Sequence, residues 1–290
     1  MTTRTWLITG ASRGLGRALA LAVAESGDRV HATVRRPGTA PGHERVTEHV
    51  LDVRSRAAAF ATVRDVVADG GTLDVVVNNA GHGLVGVVEE IEEAAAREIL
   101  DTDLFGALWL TQAALPVMRA QRWGHLVQIS TVGGIGAMPT FGLYNAAKWA
   151  LEGMSEALAG EVSPLGIRVS IIEPGGIDTA WATGSMRFAA PNPAYDPLRE
   201  RLFGTPEVPW PATGTGGGTP PADVAAAILA HVDDPSDRRL RVLLGDDAAP
   251  AAAAALTQRL DDYHRDPRFT AAFRTIGNTA GDPPRRRDGD

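Results

Sequence analysis

Along the first 245 residues, short apolar runs alternate with longer stretches in which apolar residues recur every three or four positions. The short runs lie at 5–9, 29–34, 45–50, 73–78, 125–130, 168–173 and 240–244, and their Val, Ile and Thr content predicts strands. The stretches at 15–26, 55–68, 89–119, 144–162 and 221–231 carry the helical period. Strands alternating with helices over short links predict an α/β fold, a doubly wound parallel sheet of about seven strands with helices on both faces. The runs VVV at 75–77 and VSII at 169–172 are apolar almost throughout, as strands covered on both faces should be.

Three regions leave this rhythm. Residues 175–221 are rich in Pro and Gly, include GTGGG at 214–218, and read as a substrate lid. Residues 249–263, APAAAAALTQRLDDY, predict a C-terminal helix, and GDPPRRRDGD at 281–290 predicts a frayed tail. The expected organisation is one domain over 1–247, lid included, with a helical extension and tail over 248–290.

Composition removes whole classes of chemistry. The chain has 290 residues and no cysteine, which excludes disulfides, thiolate metal centres and cysteine nucleophiles. None of its seven histidines pair at the i, i+4 spacing of a helical metal site, so no metal is expected. A net charge of −7 argues against nucleic acid and anionic membrane surfaces, and no apolar run approaches the length of a membrane span. The start, MTTRTWLITG, lacks the apolar run of a signal peptide, so a cytoplasmic protein is expected. Lysine and arginine total 28, yet Lys148 is the only lysine, and it stands four residues after Tyr144, one of three tyrosines. Chance gives that placement roughly once in a hundred. A rotatable ammonium at this one place offers what a planar guanidinium cannot.

The first strand runs into Thr9-Gly10-Ala-Ser12-Arg13-Gly14-Leu15-Gly16 and then a helix. Backbone amides at a helix N-terminus, with glycine allowing close approach, suit a pyrophosphate; an ordinary glycine-rich turn is the alternative. At the end of the second strand, where an acid would read a ribose 2′-hydroxyl, stand Val34, Arg35 and Arg36, and Arg13 sits in the glycine loop. Arginines without an acid match a 2′-phosphate better than a hydroxyl, so NADP(H) is expected over NAD(H); solvated surface arginines are the bland alternative.

Taken in order, the glycine loop, Asp52-Val53 after the third strand, Asn78-Asn79-Ala80-Gly81 after the fourth, Tyr144-Asn-Ala-Ala-Lys148, and Pro174-Gly175-Gly-Ile177-Asp-Thr179 resemble the motifs of the short-chain dehydrogenase/reductase family over about residues 4–245. The resemblance implies a Rossmann-like fold and hydride transfer between NADP(H) and a small carbonyl or secondary alcohol. It implies cofactor contacts at Gly10, Ser12, Arg13, Gly14, Leu15, Gly16, Arg35, Asp52, Val53, Asn79, Ala80, Gly81, Tyr144, Lys148, Pro174, Gly175, Ile177 and Thr179. It also implies a homodimer or homotetramer joined through the fourth and fifth helices. Two positions depart from the family pattern. Ser130-Thr131 stands where the family has Ser-Ser, with Thr131 thirteen residues before Tyr144, and Asp103 stands where the family has a catalytic asparagine.

The expected chemistry gives Tyr144 the role of general acid/base, because a carbonyl being reduced needs a proton. Lys148 lowers the phenol's pKa and binds the nicotinamide ribose, and Thr131, beside Ser130, holds the substrate oxygen. Asp103 either stays protonated by burial and imitates the amide, or ionises, which favours the ammonium and opposes phenolate formation at Tyr144, and the second is expected. Met138, Phe141, Trp181, Met186 and Phe188 are candidates for an apolar substrate wall or for core. His82, directly after Asn-Asn-Ala-Gly, is a weaker candidate for the pocket, with an ordinary loop histidine as the alternative, and the glutamates at 89–93 read as favourable charge at a helix start. A non-catalytic NADP-binding protein and a non-redox biosynthetic enzyme on the same fold are the alternative functions.

Overall fold

The computed structural model describes residues 3–207, 215 and 217–279. Strand β1 (Thr5–Ile8) is buried at every residue, so both of its faces need cover. Successive side chains supply it: Trp6 and Ile8 enter one apolar cluster, Leu7 the other. The next strands, β2 (Arg29–Val34), β3 (Val46–Val50), β4 (Val75–Asn78), β5 (Gly83–Val85), β6 (Gly124–Ile129), β7 (Ile167–Pro174), β8 (Met186–Phe188) and β9 (Arg241–Leu244), complete the set. Seven of them form one sheet in the order β3-β2-β1-β4-β6-β7-β9, every pairing parallel. This is the Rossmann-like, doubly wound sheet expected. Helices α1 (Gly14–Glu25) and α8 (Pro221–Asp233) cover one face through Leu19, Val23, Ile228 and Val232. On the other face, α2 (Arg56–Gly70), α4 (Gly106–Gln121) and α5 (Gly142–Val162) bring Val63, Leu110, Met118 and Leu158 against Leu7, Val76 and Leu126.

The helix expected over 89–119 is broken. A 3₁₀ turn (Val88–Glu90) precedes α3 (Glu93–Leu100), and a π turn (Asp101–Phe105) separates α3 from α4. Glu90 turns inward to a buried guanidinium, and the extra residue of the π turn points Asp103 into the protein. Polar side chains with buried partners override the helical period here.

The lid region is more structured than its composition suggests. It contains α6 (Trp181–Gly184), β8, which pairs in parallel with β5, and α7 (Asp196–Phe203). A three-residue strand is too short to register as a pattern. Arg199 holds the segment with all three guanidinium nitrogens: it donates to Glu90 Oε1 (2.7 Å), Asp196 Oδ1 (2.7 Å), Asn192 O (2.6 Å) and Pro206 O (2.7 Å). Residues 208–214 and 216 of the expected lid, and the expected tail at 281–290, lie outside the described residues. The C-terminal helix α9 (Ala248–Tyr263) is where the pattern put it, and α10 (Pro267–Thr279) follows it. Among the described residues, no helix is long and apolar enough to cross a membrane.

Candidate active site

The strand order reverses between β1 and β4, and loops leaving the C-terminal ends of β1, β4, β6 and β7 open a crevice there. Gly10 and Gly14 hold the first loop in left-handed conformations (φ +68° and +56°) that other residues adopt only under strain. Thr9 ties this loop to the one after β4: its Oγ1 accepts the backbone N–H groups of Asn79 and Ala80, both at 2.9 Å, and its carbonyl accepts Asn79 Nδ2 at 2.7 Å. One turn below, Asn78 Nδ2 donates to Gln128 Oε1 at 3.0 Å, fixing β4 against β6.

The result is a cleft of about 790 Å³. It is lined by every residue to which the sequence assigns a cofactor contact, from Gly10 to Thr179, together with Ser130 and Thr131. Asp103 alone of the expected site residues stands behind the wall, with no side-chain exposure. Met138, Phe141 and Trp181 line the cleft. Met186 packs into the apolar cluster of Val85 and Phe141, and Phe188 points outward, so neither lines it. Pattern reading missed the far wall, where α9 contributes Ala251, Ala254, Ala255 and Gln258. An alanine-rich helix carries no chemical signal by which to find it.

At the expected catalytic end, Tyr144 and Lys148 occupy successive turns of α5. Lys148 Nζ donates to Ile129 O at 3.1 Å, lies 3.2 Å from Asp103 Oδ2, and stands 5.9 Å from the Tyr144 ring centroid. Gly81 makes room for this pair, since a Cβ there would lie 2.8 Å from Asp103 Oδ2. The Tyr144 phenol does not sit below its ordinary range, as the sequence led us to expect of a phenol beside an ammonium. Burial, and after it the charge of Asp103, push it up; a hydrogen bond with Thr131 works against both. The physical reason is first the burial of the phenol and then the Asp103 carboxylate, which stands against the lysine's charge.

The two hydroxyls after β6 diverge. Ser130 Oγ donates to Glu152 Oε1 at 2.5 Å, away from the tyrosine, whereas Thr131 bonds Tyr144. Glu152 in turn meets Glu173, whose carboxyl is pushed up to about 7 by burial and by Glu152, with Arg241 opposing.

His82 is better placed than a loop histidine promises: it lines the cleft, and its ring Nδ1 lies 3.5 Å from Asp103 Oδ1. The glutamates at 89–93 anchor the lid more than they favour a helix start. Glu90 binds Arg199 and the Asn192 N–H, and Glu89 accepts the Tyr195 hydroxyl.

At the opposite end, Arg13 donates through Nη2 to Gly184 O and Ser185 Oγ, both at 2.6 Å, linking the glycine loop to the lid. Burial lowers its pKa, and the charges of Arg35 and Arg36 lower it further, so the three guanidinium groups lie close enough to repel. Asp52 pairs with Arg54 at 2.6 Å, which holds its carboxyl below the usual range.

The family profile described as short chain dehydrogenase matches residues 4–188. Over 261 residues the chain is 35% identical to oxidoreductase BOA17 of Botryotinia fuckeliana, covering 87% of this chain and 93% of that protein. It is 38% identical over 175 residues to a 3-ketodihydrosphingosine reductase of Bacteroides thetaiotaomicron, covering 60% of this chain and 64% of that one. The crystal structure of a short-chain dehydrogenase from Streptomyces avermitilis superposes with a TM-score of 0.82 at 35% identity, over 93% of this chain and all of its own. Sequence, fold and motif order agree, and the chain belongs to the short-chain dehydrogenase family of oxidoreductases.

Proposed function

We propose that the protein is an NADP(H)-dependent oxidoreductase that reduces a small ketone or aldehyde, or oxidises the matching secondary alcohol. The observation that carries this reading is the meeting of Tyr144, Thr131 and Lys148 in one cleft that runs on to the glycine loop. The donor set fits the phosphorylated dinucleotide. Arg35 and Arg36 lower the pKa of Arg13 on the loop, no acid follows β2, and the N-terminus of α1 has no side-chain cap on its amides. Gly14, Leu15 and Gly16 would hold the pyrophosphate, and Arg13 and Arg35 the 2′-phosphate. Asp52 and Val53 would flank the adenine, Asn79, Ala80 and Gly81 the ribose, and Pro174, Gly175, Ile177 and Thr179 the nicotinamide. Once bound, the cofactor supplies or accepts the hydride.

The chain's own residues manage the proton and the geometry. Tyr144 holds a proton at its hydroxyl, and its raised pKa keeps that proton in place until a carbonyl oxygen accumulates negative charge. Thr131, bonded to Tyr144, sets the direction of the phenol and shares in holding the substrate oxygen. Lys148 fixes the floor of the site through Ile129 O. Met138, Phe141 and Trp181 keep water from the reacting carbon and accept an apolar substituent. A ketone in the name of the Bacteroides relative supports the carbonyl-reducing direction. The expected homo-oligomer would bury α4 and α5, near whose starts and outer faces Phe105 and Trp149 are exposed.

The test follows NADPH absorbance against a panel of ketones and aldehydes. Wild type should consume NADPH, and Tyr144→Phe should bind it equally but lose about 100-fold or more in turnover. NADPH bound by wild type and left unconsumed across the panel would sink the reading.

A further inference from the structure

Behind the wall that carries Ser130 and Thr131, two carboxyl groups meet away from water. Glu152 stands one turn after Lys148 on α5, Glu173 precedes Pro174 on β7, and they are 4% and 1% exposed. Ser130 Oγ donates to Glu152 Oε1 at 2.5 Å, and a Cβ on Gly134 would collide with that oxygen. The guanidinium of Arg241 on β9 is divided among several acids. Its Nη2 lies 3.0 Å from Oε2 of the exposed Glu156 but 3.7 Å from Glu152 Oε2. Its Nε lies 3.3 Å from Glu173 Oε1, an atom that makes no hydrogen bond. One partly exposed guanidinium whose shortest contact goes to a third acid does not balance two buried anions side by side. The pair therefore keeps a proton. Glu152 accepts from Ser130, and its hydrogen bond with Glu173 favours the protonated form of Glu173, so the proton sits there.

Both acids reach Thr131 in one step. Glu152 holds Ser130, the residue before it, and Glu173 adjoins Pro174, whose carbonyl accepts Thr131 Oγ1 at 3.3 Å. We propose that Glu152 and Glu173 hold one proton between them and that this proton keeps the ends of β6 and β7 at the spacing Thr131 needs, so that Glu173 is a positioning residue and its ionisation switches the site off. The inference deepens the oxidoreductase reading above and rests on it. When the proton leaves to solvent, two carboxylates face each other between α5 and β7. Their repulsion draws Ser130 and Pro174 apart, and Thr131 loses the carbonyl that orients it. Acidification restores the pair.

The charges that face the pair are Arg241 from β9 and Lys148 and Glu156 from α5, while β6 contributes the neutral Ser130. Lys148 is itself 3.2 Å from Asp103. Burial, and after it Glu152, push Glu173 up to about 7, with Arg241 opposing, so the switch falls within the range where the protein would work.

The shared proton is read without any turnover. Infrared spectra of the cofactor-free protein should show the C=O stretch of a carboxylic acid at about pH 6 that fades as pH rises through about 7 and is missing in Glu173→Gln. Arg241→Gln, on the edge strand, removes the opposing cation and should move the midpoint to higher pH. No acid band in wild type, a band that Glu173→Gln leaves in place, or a midpoint unmoved by Arg241→Gln overturns the pair, whether or not any carbonyl is ever found to be reduced.

In the active enzyme, kcat/KM for the carbonyl compound should fall about tenfold between about pH 6 and about pH 8, as the protonated fraction of a group titrating at about 7 does. This step lies far below that of Tyr144. The amide of Glu173→Gln still donates to Glu152 but cannot ionise, so the variant should match wild type at about pH 6 and stay level to about pH 8. The same fall in Glu173→Gln would refute the switch.

Discussion

Asp103 does at the scale of one residue what no inspection of the tyrosine and lysine alone would show. It balances the ammonium of Lys148 and places a negative charge near Tyr144, and both effects keep the phenol protonated. On the proposed function carbonyl reduction needs that protonated phenol, so its rate should fall as pH rises through the Tyr144 pKa. Asp103→Asn removes a cause that raises this pKa; the alkaline fall of kcat/KM for reduction should therefore move to lower pH. A profile that stays in place would show that the Asp103 charge does not reach the phenol. Arg35 is the other residue on which a single substitution is informative. A charge-assisted contact to the 2′-phosphate contributes about 1.5–3 kcal/mol, so Arg35→Ala should weaken NADPH binding about 10- to 100-fold and NADH little. Titration calorimetry with both nucleotides checks it; equal losses would mean that Arg35 does not read the phosphate. Tyr144 and Lys148 were legible in the sequence because four residues on a helix bring them to one face. Asp103 was legible from its place in the motif order, but its contact with His82 was not, because 21 residues separate them and a π turn with no sequence signature of its own closes that distance.

Elements read well from the chain where burial is symmetrical. The seven strands of the large sheet follow from period, since β1, β4, β6 and β7 are buried along their length and β3 and β9 close the two edges. Legibility fails where a polar side chain finds a buried partner, as at Glu90 and Asp103, or where an element is three residues long, as in β5 and β8. A second polar line, across β6, β7 and α8, went unnoticed for the same reason. His125 Nε2 meets Ser170 Oγ at 2.8 Å, Ser170 meets His231 Nε2 at 2.7 Å, and His231 Nδ1 meets Asp237 Oδ2 at 2.7 Å. One order gives every atom a role: His125 Nε2–H donates to the serine, the serine to His231, and His231 Nδ1–H to the carboxylate. His125 Nδ1 is then a bare lone pair, which agrees with its having no hydrogen-bond partner. Burial first, then the positive charge of Arg168, holds His125 well below the ordinary histidine range. Its folded-state pKa lies under its unfolded value, so the unfolded chain binds the extra proton. The stability contributed is complete above about pH 6.5 and is lost as pH falls toward the folded pKa. His125→Gln should therefore flatten the decline in Tm between about pH 7 and about pH 5. An equally steep decline in the variant would place the acid sensitivity elsewhere.

On the scale of the whole molecule, the cleft is shared between the sheet and the segment that follows β7, and one side chain belongs to both. Arg13 leaves the glycine loop and holds Gly184 O and Ser185 Oγ, next to Trp181 on the cleft wall, while the charges of Arg35 and Arg36 act against its own. An anion arriving beside Arg35 would relieve that repulsion and draw the guanidinium off the lid, loosening residues 181–185 at the moment the nucleotide seats. On the proposed function the traffic of ligands would then acquire a sequence: nucleotide in first, carbonyl compound second, alcohol out before the spent nucleotide. Product-inhibition kinetics should show the oxidised nucleotide competing with NADPH and the alcohol not competing with it, and Arg13→Ala should turn this ordered entry into a random one. A residue at the cofactor end of the cleft would thus act as timekeeper for the substrate end.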